Sequence, residues 1–359
     1  MLRRRVGAGG NAGPYSAPSI GRRRLADGDL TRRDRFGRAI CLAAALVPAA
    51  LLLFLAGEII SEAIPVFTYS GWRFFSGQIF TFGDLYATTL SHHNGITAPH
   101  GAAYGALPFI VGTLASSLIA LAIAVPVAVG AMLALTERLP WRLRSGLSVF
   151  VEVLAGIPSV AYGFWGVLFF GPFLAHDIYP GLSRVLAFIP PFRGSVGAGE
   201  GLLTTSLVLA VMIVPIIAST TRELMRTVPI LAKEGAMALG MTPYETFRVV
   251  TLPYVRRGIL AAAVLGWARA LGETMAVLMI SGDLLNRLPS NIYGPFSTLA
   301  GTIVDLLDSA LTDATGMGVH ALAALACVLL IITVATNLLG RIIIRSAAGD
   351  LVLPIGRGI

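Results

Sequence analysis

Charge is scarce in this chain. Of its 359 residues only 13% are Asp, Glu, Lys or Arg, while 55% are hydrophobic, and mean hydropathy is +0.78. That leaves too little polar surface to clothe a water-soluble globule, which excludes the aqueous fold classes. Cysteine is nearly missing as well. Cys41 and Cys327 both fall inside apolar runs, which excludes a disulfide framework and leaves apolar packing as their role. His92, His93, His100, His176 and His320 form no tight ligand spacing, so they read as solvated loop residues and no metal site is expected. Strict apolar–polar alternation over ten-residue stretches is absent, which excludes a membrane barrel. The sequence has no GxxxxGK[ST] phosphate loop, so ATP is not bound in that way. No basic–aromatic module marks a nucleic-acid binder, and none is expected to bind.

What is present is hydrophobic length. A helix crosses a bilayer with about 20 mostly apolar residues, and six runs meet that need: 40–60, 107–135, 147–174, 201–221, 258–281 and 319–340. The expectation is an all-α, polytopic protein with six transmembrane helices. A shorter run, 298–307, ends near Asp305 and Asp308 and reads as an interfacial or re-entrant helix.

Orientation follows from basic residues, which cytoplasmic loops retain. With the N-terminus inside, 22 Lys and Arg fall on the cytoplasmic side. Four fall outside (Arg73, Arg184, Arg193, Arg287), and Arg269 lies within a span. Both termini are therefore expected in the cytoplasm, and the net charge of +8 is largely this bias. Residues 1–38 are rich in Gly, Arg, Ser and Pro without periodicity and read as an Arg-rich disordered tail able to touch anionic lipid. A full-length first apolar run behind that tail argues against a cleaved signal peptide. The body is 39–346, with an external loop at 61–106, a cytoplasmic loop at 222–257 and a C-terminal tail at 347–359. The external loop carries Trp72, Phe74, Phe75 and Tyr86, suited either to a substrate-binding protein or to interfacial anchoring.

The cytoplasmic loop is the most informative stretch. Residues 225–239 carry a helical pattern, Gly240 permits a sharp turn, and 243–250 begin a second helix. Met237, Leu239, Met241, Phe247, Val250 and Leu252 are costly in cytosol unless something packs on them. Glu234-Gly235-Ala236, Gly240, Val250 and Leu252-Pro253 stand at the spacing of the Glu-Ala-Ala motif, and the loop resembles that of ABC-importer permeases. Gly235 departs from the motif's first Ala but keeps a small residue there. The resemblance implies a type I ABC importer permease fold and a coupling helix seated in a groove of a cytoplasmic ATPase. Glu234, Gly235 and Ala236 would anchor the docking, Gly240 would set the bend, Phe247 would supply apolar grip, and Leu252 and Pro253 would complete the element. ATP and Mg would sit on the partner ATPase, with no cofactor on this chain.

Two further stretches, AGIPSVAYGFWG at 155–166 and RALGETMAV at 269–277, resemble permeases of the phosphate-specific ABC importer, of the PstC type rather than the PstA type. The resemblance covers roughly 40–345. It implies a bacterial inner-membrane assembly with a PstA-type permease as heterodimer partner, two cytoplasmic ATPase subunits and an external phosphate-binding protein. The chain is thus expected to transport and not to catalyse. Arg269, mid-span, costs about 3 kcal/mol on insertion scales unless paired or hydrated. Glu273 lies one helical turn on, where the two can neutralise each other. Either Arg269 meets phosphate in the translocation path, its planar fork matching phosphate oxygens, or the pair is a permanent brace. Ser159 and Tyr162, in a stretch broken by Pro158, are weaker pathway candidates whose hydroxyls equally suit helix–helix bonds. Glu152, near the cytoplasmic end, needs no more than snorkelling to water. Another oxyanion, sulfate or molybdate, is the nearest alternative cargo. An ion-driven secondary transporter is the alternative mechanism, though no internal repeat supports it. A membrane scaffold that docks a partner without transporting is the remaining rival.

Overall fold

The computed structural model describes residues 27–84, 89–134 and 140–346. Residues 1–55 and 56–359 separate into two units. In the first, the helix α1 (Asp27–Ser70) is already wound at its start, so 27–38 are helical where a disordered tail was expected. Adding residues to an existing helix costs far less than nucleating one, and the long apolar run supplies the nucleus. Residues 1–26 and the tail 347–359 lie outside the described residues. Leu46, Leu52, Leu53 and Phe54 are all exposed, as a lipid-facing helix requires. Cys41 is exposed there too.

In the second unit α1 gives way to α2 (Arg73–Ser76) and four short strands: β1 (Phe80–Thr81), β2 (Leu90–His93), β3 (Ile96–Pro99) and β4 (Ala103–Tyr104). β1 pairs antiparallel with β4, Phe80 opposite Tyr104. β2 pairs with β3, His93 opposite Ile96. The β2–β3 turn is Asn94-Gly95, with φ of 52° and 79°, the two positive angles that a tight hairpin demands and that Asn-Gly tolerates. The expected external loop is therefore a small folded lobe; its Tyr86 lies outside the described residues.

The remaining helices are α3 (Leu107–Leu133), α4 (Trp141–Gly156), α5 (Ser159–Trp165), α6 (Gly171–Phe173), α7 (Tyr179–Val185), α8 (Leu202–Arg226), α9 (Ile230–Ala238), α10 (Pro243–Thr246), α11 (Leu252–Leu271), α12 (Met275–Ile280), α13 (Leu299–Asp305), α14 (Leu307–Leu311) and α15 (Met317–Ser346). Among the described residues, six continuous helical stretches are long and apolar enough to cross a membrane: Asp34–Ser70, Leu107–Leu133, Ser159–Val185, Leu202–Arg226, Pro243–Leu271 and Met317–Ser346. The third and fifth differ most from expectation. Pro158 forces Ile157 into an extended conformation, φ −69° and ψ 130°, which ends α4. The third span therefore starts at Ser159 instead of 147, and α5 to α7 run on through π-helical turns at Gly166–Phe170 and Leu174–Ile178. The fifth stops at Leu271 because Gly272 and Glu273 leave the helix. In the place of the expected short run 298–307 are α13 and α14, the former capped by the Thr298 hydroxyl accepting from Gly301 N at 3.2 Å.

α8 is the most enclosed span. Ala120, Ala124 and Ala128 of α3 are fully buried in one cluster with Leu209, Ile213 and Ile217 of α8. Small residues one turn apart let two helices approach closely, which is how packing in a bilayer gains its energy. The lobe has its own cluster, in which Phe74, Phe80, Tyr104 and Phe109 meet Met317, Ala321 and Leu325 of α15. Cys327 is buried in that cluster, as its packing role requires. Asp313 starts α15 by accepting from Thr315 N at 2.9 Å and Gly318 N at 2.8 Å.

Candidate functional site: the loop before the fifth span and the break at its end

The loop is built from its breakers. Pro229 starts α9, and Gly240 follows it at φ +83°, a left-handed angle that only Gly adopts freely. Thr242 then caps α10 with a full capping box. Its hydroxyl accepts from Glu245 N at 3.3 Å while the Glu245 carboxylate accepts from Thr242 N at 2.8 Å. α10 does not end as a separate helix. A π-helical turn at Phe247–Thr251 carries it straight into α11, and this irregular turn accommodates Pro253, which has no N–H to give. α10 is therefore continuous with the fifth span, and α9 joins it through the Gly240 turn.

Exposure divides the expected docking residues. Glu234, Gly235 and Gly240 are exposed, Leu252 and Pro253 are half-buried, and Ala236 and Phe247 are buried. Phe247, expected to grip a partner, is 5% exposed and sits in the core with Val255 and Ile259. Its hold is on this chain, because the π turn rotates it inward. The outward apolar groups are instead Ile230, Leu231, Met237 and Leu239, at 68, 78, 46 and 82% exposure. Ile230 and Leu231 went unread in the sequence, although their apolar character beside Pro229 on a basic loop was the available signal.

At the opposite end of α11, Arg269 and Glu273 part company. Helix geometry ends at Leu271, so the one-turn spacing that would pair them does not form. Arg269 is exposed, Glu273 is only 9% exposed, and no ion pair joins them. A direct Arg269–Glu273 pair is thus absent from this structure. On the other side of α11 from Arg269, the Trp267 indole N–H donates to Ser117 Oγ of α3 at 3.1 Å. Two residues on a helix are about 200° apart, so pinning Trp267 against α3 turns Arg269 outward, along with Leu265 and Gly272. No spacing in the sequence pointed to Trp267 or Ser117.

The weaker candidates are also placed. Tyr162 is buried and donates to Leu154 O at 2.9 Å, tying α5 back to the end of α4 across the Pro158 break. Ser159 is half-buried in the first turn of α5. Gly163 and Gly166 beside it let α5 close on Met279 and Ile280 of α12. Glu152 pairs with Arg222 at 3.4 Å, joining α4 to α8. His320 pairs with Glu62 at 2.9 Å and is therefore no simple solvated residue. Among the described residues no group of His, Cys, Asp and Glu has metal-site geometry.

Comparison with known proteins places this architecture. The family model described as "Binding-protein-dependent transport system inner membrane component" matches residues 126–348. A curated relative from Mycobacterium tuberculosis, "Phosphate transport system permease protein PstC 1", is 49% identical over 318 residues, covering 88% of this chain and 94% of the relative. One from Mesorhizobium japonicum, "Phosphate transport system permease protein PstC", is 37% identical with the same coverage of both chains. A chain of the crystal structure of a bacterial ABC transporter involved in alginate import shares the fold, with a TM-score of 0.51 and 17% identity over 87% of this chain and 99% of that one. With family match, relatives and fold agreeing, the chain belongs to the binding-protein-dependent transport system inner membrane component family, within which it groups with the PstC permeases.

Proposed function

We propose that this chain is a transmembrane permease subunit of an ATP-driven importer of inorganic phosphate, converting ATP hydrolysis on partner ATPases into alternating access. The observation that carries the coupling role is the display of Ile230, Leu231, Met237 and Leu239 on α9 and at its C-terminal end, joined through the Gly240 turn to the capped helix α10, which runs on into the fifth span. Exposed apolar groups of that kind need a groove, and the sequence has no phosphate loop of its own. The partners in this reading are two cytoplasmic ATPases, which bind ATP and Mg, an external phosphate-binding protein, and a PstA-type permease. The basic bias puts the loop and both termini in the cytoplasm. In this reading the chain transports and carries out no covalent chemistry.

The names of the relatives support phosphate as cargo. So does Arg269, an outward-facing guanidinium near the end of a span, on a surface that lipid tails do not suit. Facing a second permease, it lines a path between the two subunits and offers its planar fork to phosphate. Glu273, buried at the helix break, lies apart from Arg269 and does not hold it. Transport in vesicles bearing the full assembly tests the cargo. Uptake of radiolabelled phosphate should resist excess sulfate and molybdate; competition by either at equal concentration contradicts phosphate selectivity.

A further inference from the structure

The outer lobe holds a cleft of about 760 Å³ lined by Tyr69, Trp72, Arg73, Gln78, His92, His93 and Tyr104 among others. Its chemistry is one-sided. No Asp or Glu lines it, and the Arg73 guanidinium makes no ion pair or hydrogen bond among the described residues. The Tyr69 carbonyl takes the Nδ1 proton of His93 at 2.6 Å. Nε2 is left for a ligand, accepting from a protonated oxygen or, on an imidazolium, donating to a bare one. The His92 ring is likewise held through Nδ1 by Thr97 Oγ1 at 3.0 Å.

A second observation is independent of this charge. Tyr104 is 3% exposed, yet its hydroxyl has no hydrogen-bond partner. An unsatisfied buried hydroxyl costs about 1–3 kcal/mol, and such groups call for a missing partner. Burial first, then the nearby Asp313 and Tyr69, push its pKa up, so it remains a donor. Asp313 itself is engaged by Thr315 and Gly318.

We propose that this cleft is a binding site for a phosphate group, received by the Arg73 guanidinium, the Tyr104 hydroxyl, the Gln78 amide and the two imidazoles. The position of the cleft allows two sources of that group. α1 ends at Ser70 and Trp72 is 80% exposed, which sets the cleft where aromatic residues meet lipid headgroups; the same cleft opens to free phosphate outside the membrane. The site is remote in sequence from Arg269 and does not depend on the transport reading.

The test uses the full assembly in nonionic detergent, carrying Arg269→Gln so that binding in the proposed translocation path is removed. Calorimetric titration with inorganic phosphate forms one arm. The other compares nanodiscs of phosphatidylglycerol with nanodiscs of an uncharged glycolipid that has no phosphate, measured by native mass spectrometry for retained lipid. Saturable phosphate binding that weakens about tenfold in Arg73→Gln and in Tyr104→Phe, the loss of a hydrogen bond to a charged group, identifies the free ion. Retained phosphatidylglycerol lost in the same variants identifies the headgroup. Arg73 is exposed and Tyr104→Phe keeps the ring, so both variants should melt with the parent. If neither variant changes either readout, the proposal is overturned.

Discussion

Trp267 bonds to Ser117 across the α3–α11 contact at 3.1 Å, and together with the close approach of Gly266 to Ile213 and Ile217 of α8 it fixes the face of α11 on which Arg269 is exposed. Replacing Trp267 by Phe should therefore lower stability by only about 0.6 kcal/mol, the scale of an average interhelical bond in a membrane, while depressing uptake far more. Ser117→Ala should do the same, and the double variant should add little beyond either. Additive losses in transport would show that the bond does not orient the arginine.

Arg269→Gln should abolish phosphate uptake at normal membrane abundance. The charge-reversed double variant Arg269→Glu with Glu273→Arg should not restore it, because the two side chains face different surroundings. Recovery of uptake in the reversed pair, measured with radiolabelled phosphate, would reinstate a brace.

Leu231→Asp and Leu239→Asp should leave the chain folded and inserted, since both side chains are exposed, yet abolish co-purification of the ATPase. Phe247→Ala should behave in the opposite manner. A buried Phe→Ala change costs about 3–5 kcal/mol, so protein abundance should fall before docking does. Pull-down normalised to permease amount separates the two; normal ATPase recovery with Leu231→Asp would remove α9 as the docking helix.

Thr242→Ala removes the capping box and should cost about 1 kcal/mol, and Gly240→Ala about 1–2 kcal/mol for forcing a left-handed angle. Both should slow transport while preserving substrate-free assembly, because they soften the lever between α9 and α11. Thermal melting combined with uptake rates would show this, and unchanged rates would mean that the lever does not need stiffness.

The sequence carried the number of spans and the shape of the loop, because hydrophobic length and the Pro, Gly and Thr breakers act locally. Gly240 turns where expected. What was hidden depends on long-range packing or on small deviations from the ideal helix. The π turn at Phe247–Thr251 rotates Phe247 inward, and no composition rule announces it. Helix extension across Gly272 looked continuous by hydropathy, yet the chain breaks there and separates Arg269 from Glu273. Pro158 was visible as a break, but hydropathy alone counted α4 as part of the membrane span. The pairing of β1 with β4 joins residues on either side of a hairpin, a contact that short two-residue strands do not signal.

If ATP-driven motion of the loop at 222–257 moves phosphate inward, vesicles reconstituted with both permeases, the ATPases and the external binding protein will reveal it when radiolabelled phosphate entry is followed with ATP on the ATPase side or with a proton gradient alone. Entry that requires ATP and is lost in Leu231→Asp is the predicted result. Entry sustained by the gradient without ATP, and untouched by that substitution, would contradict it.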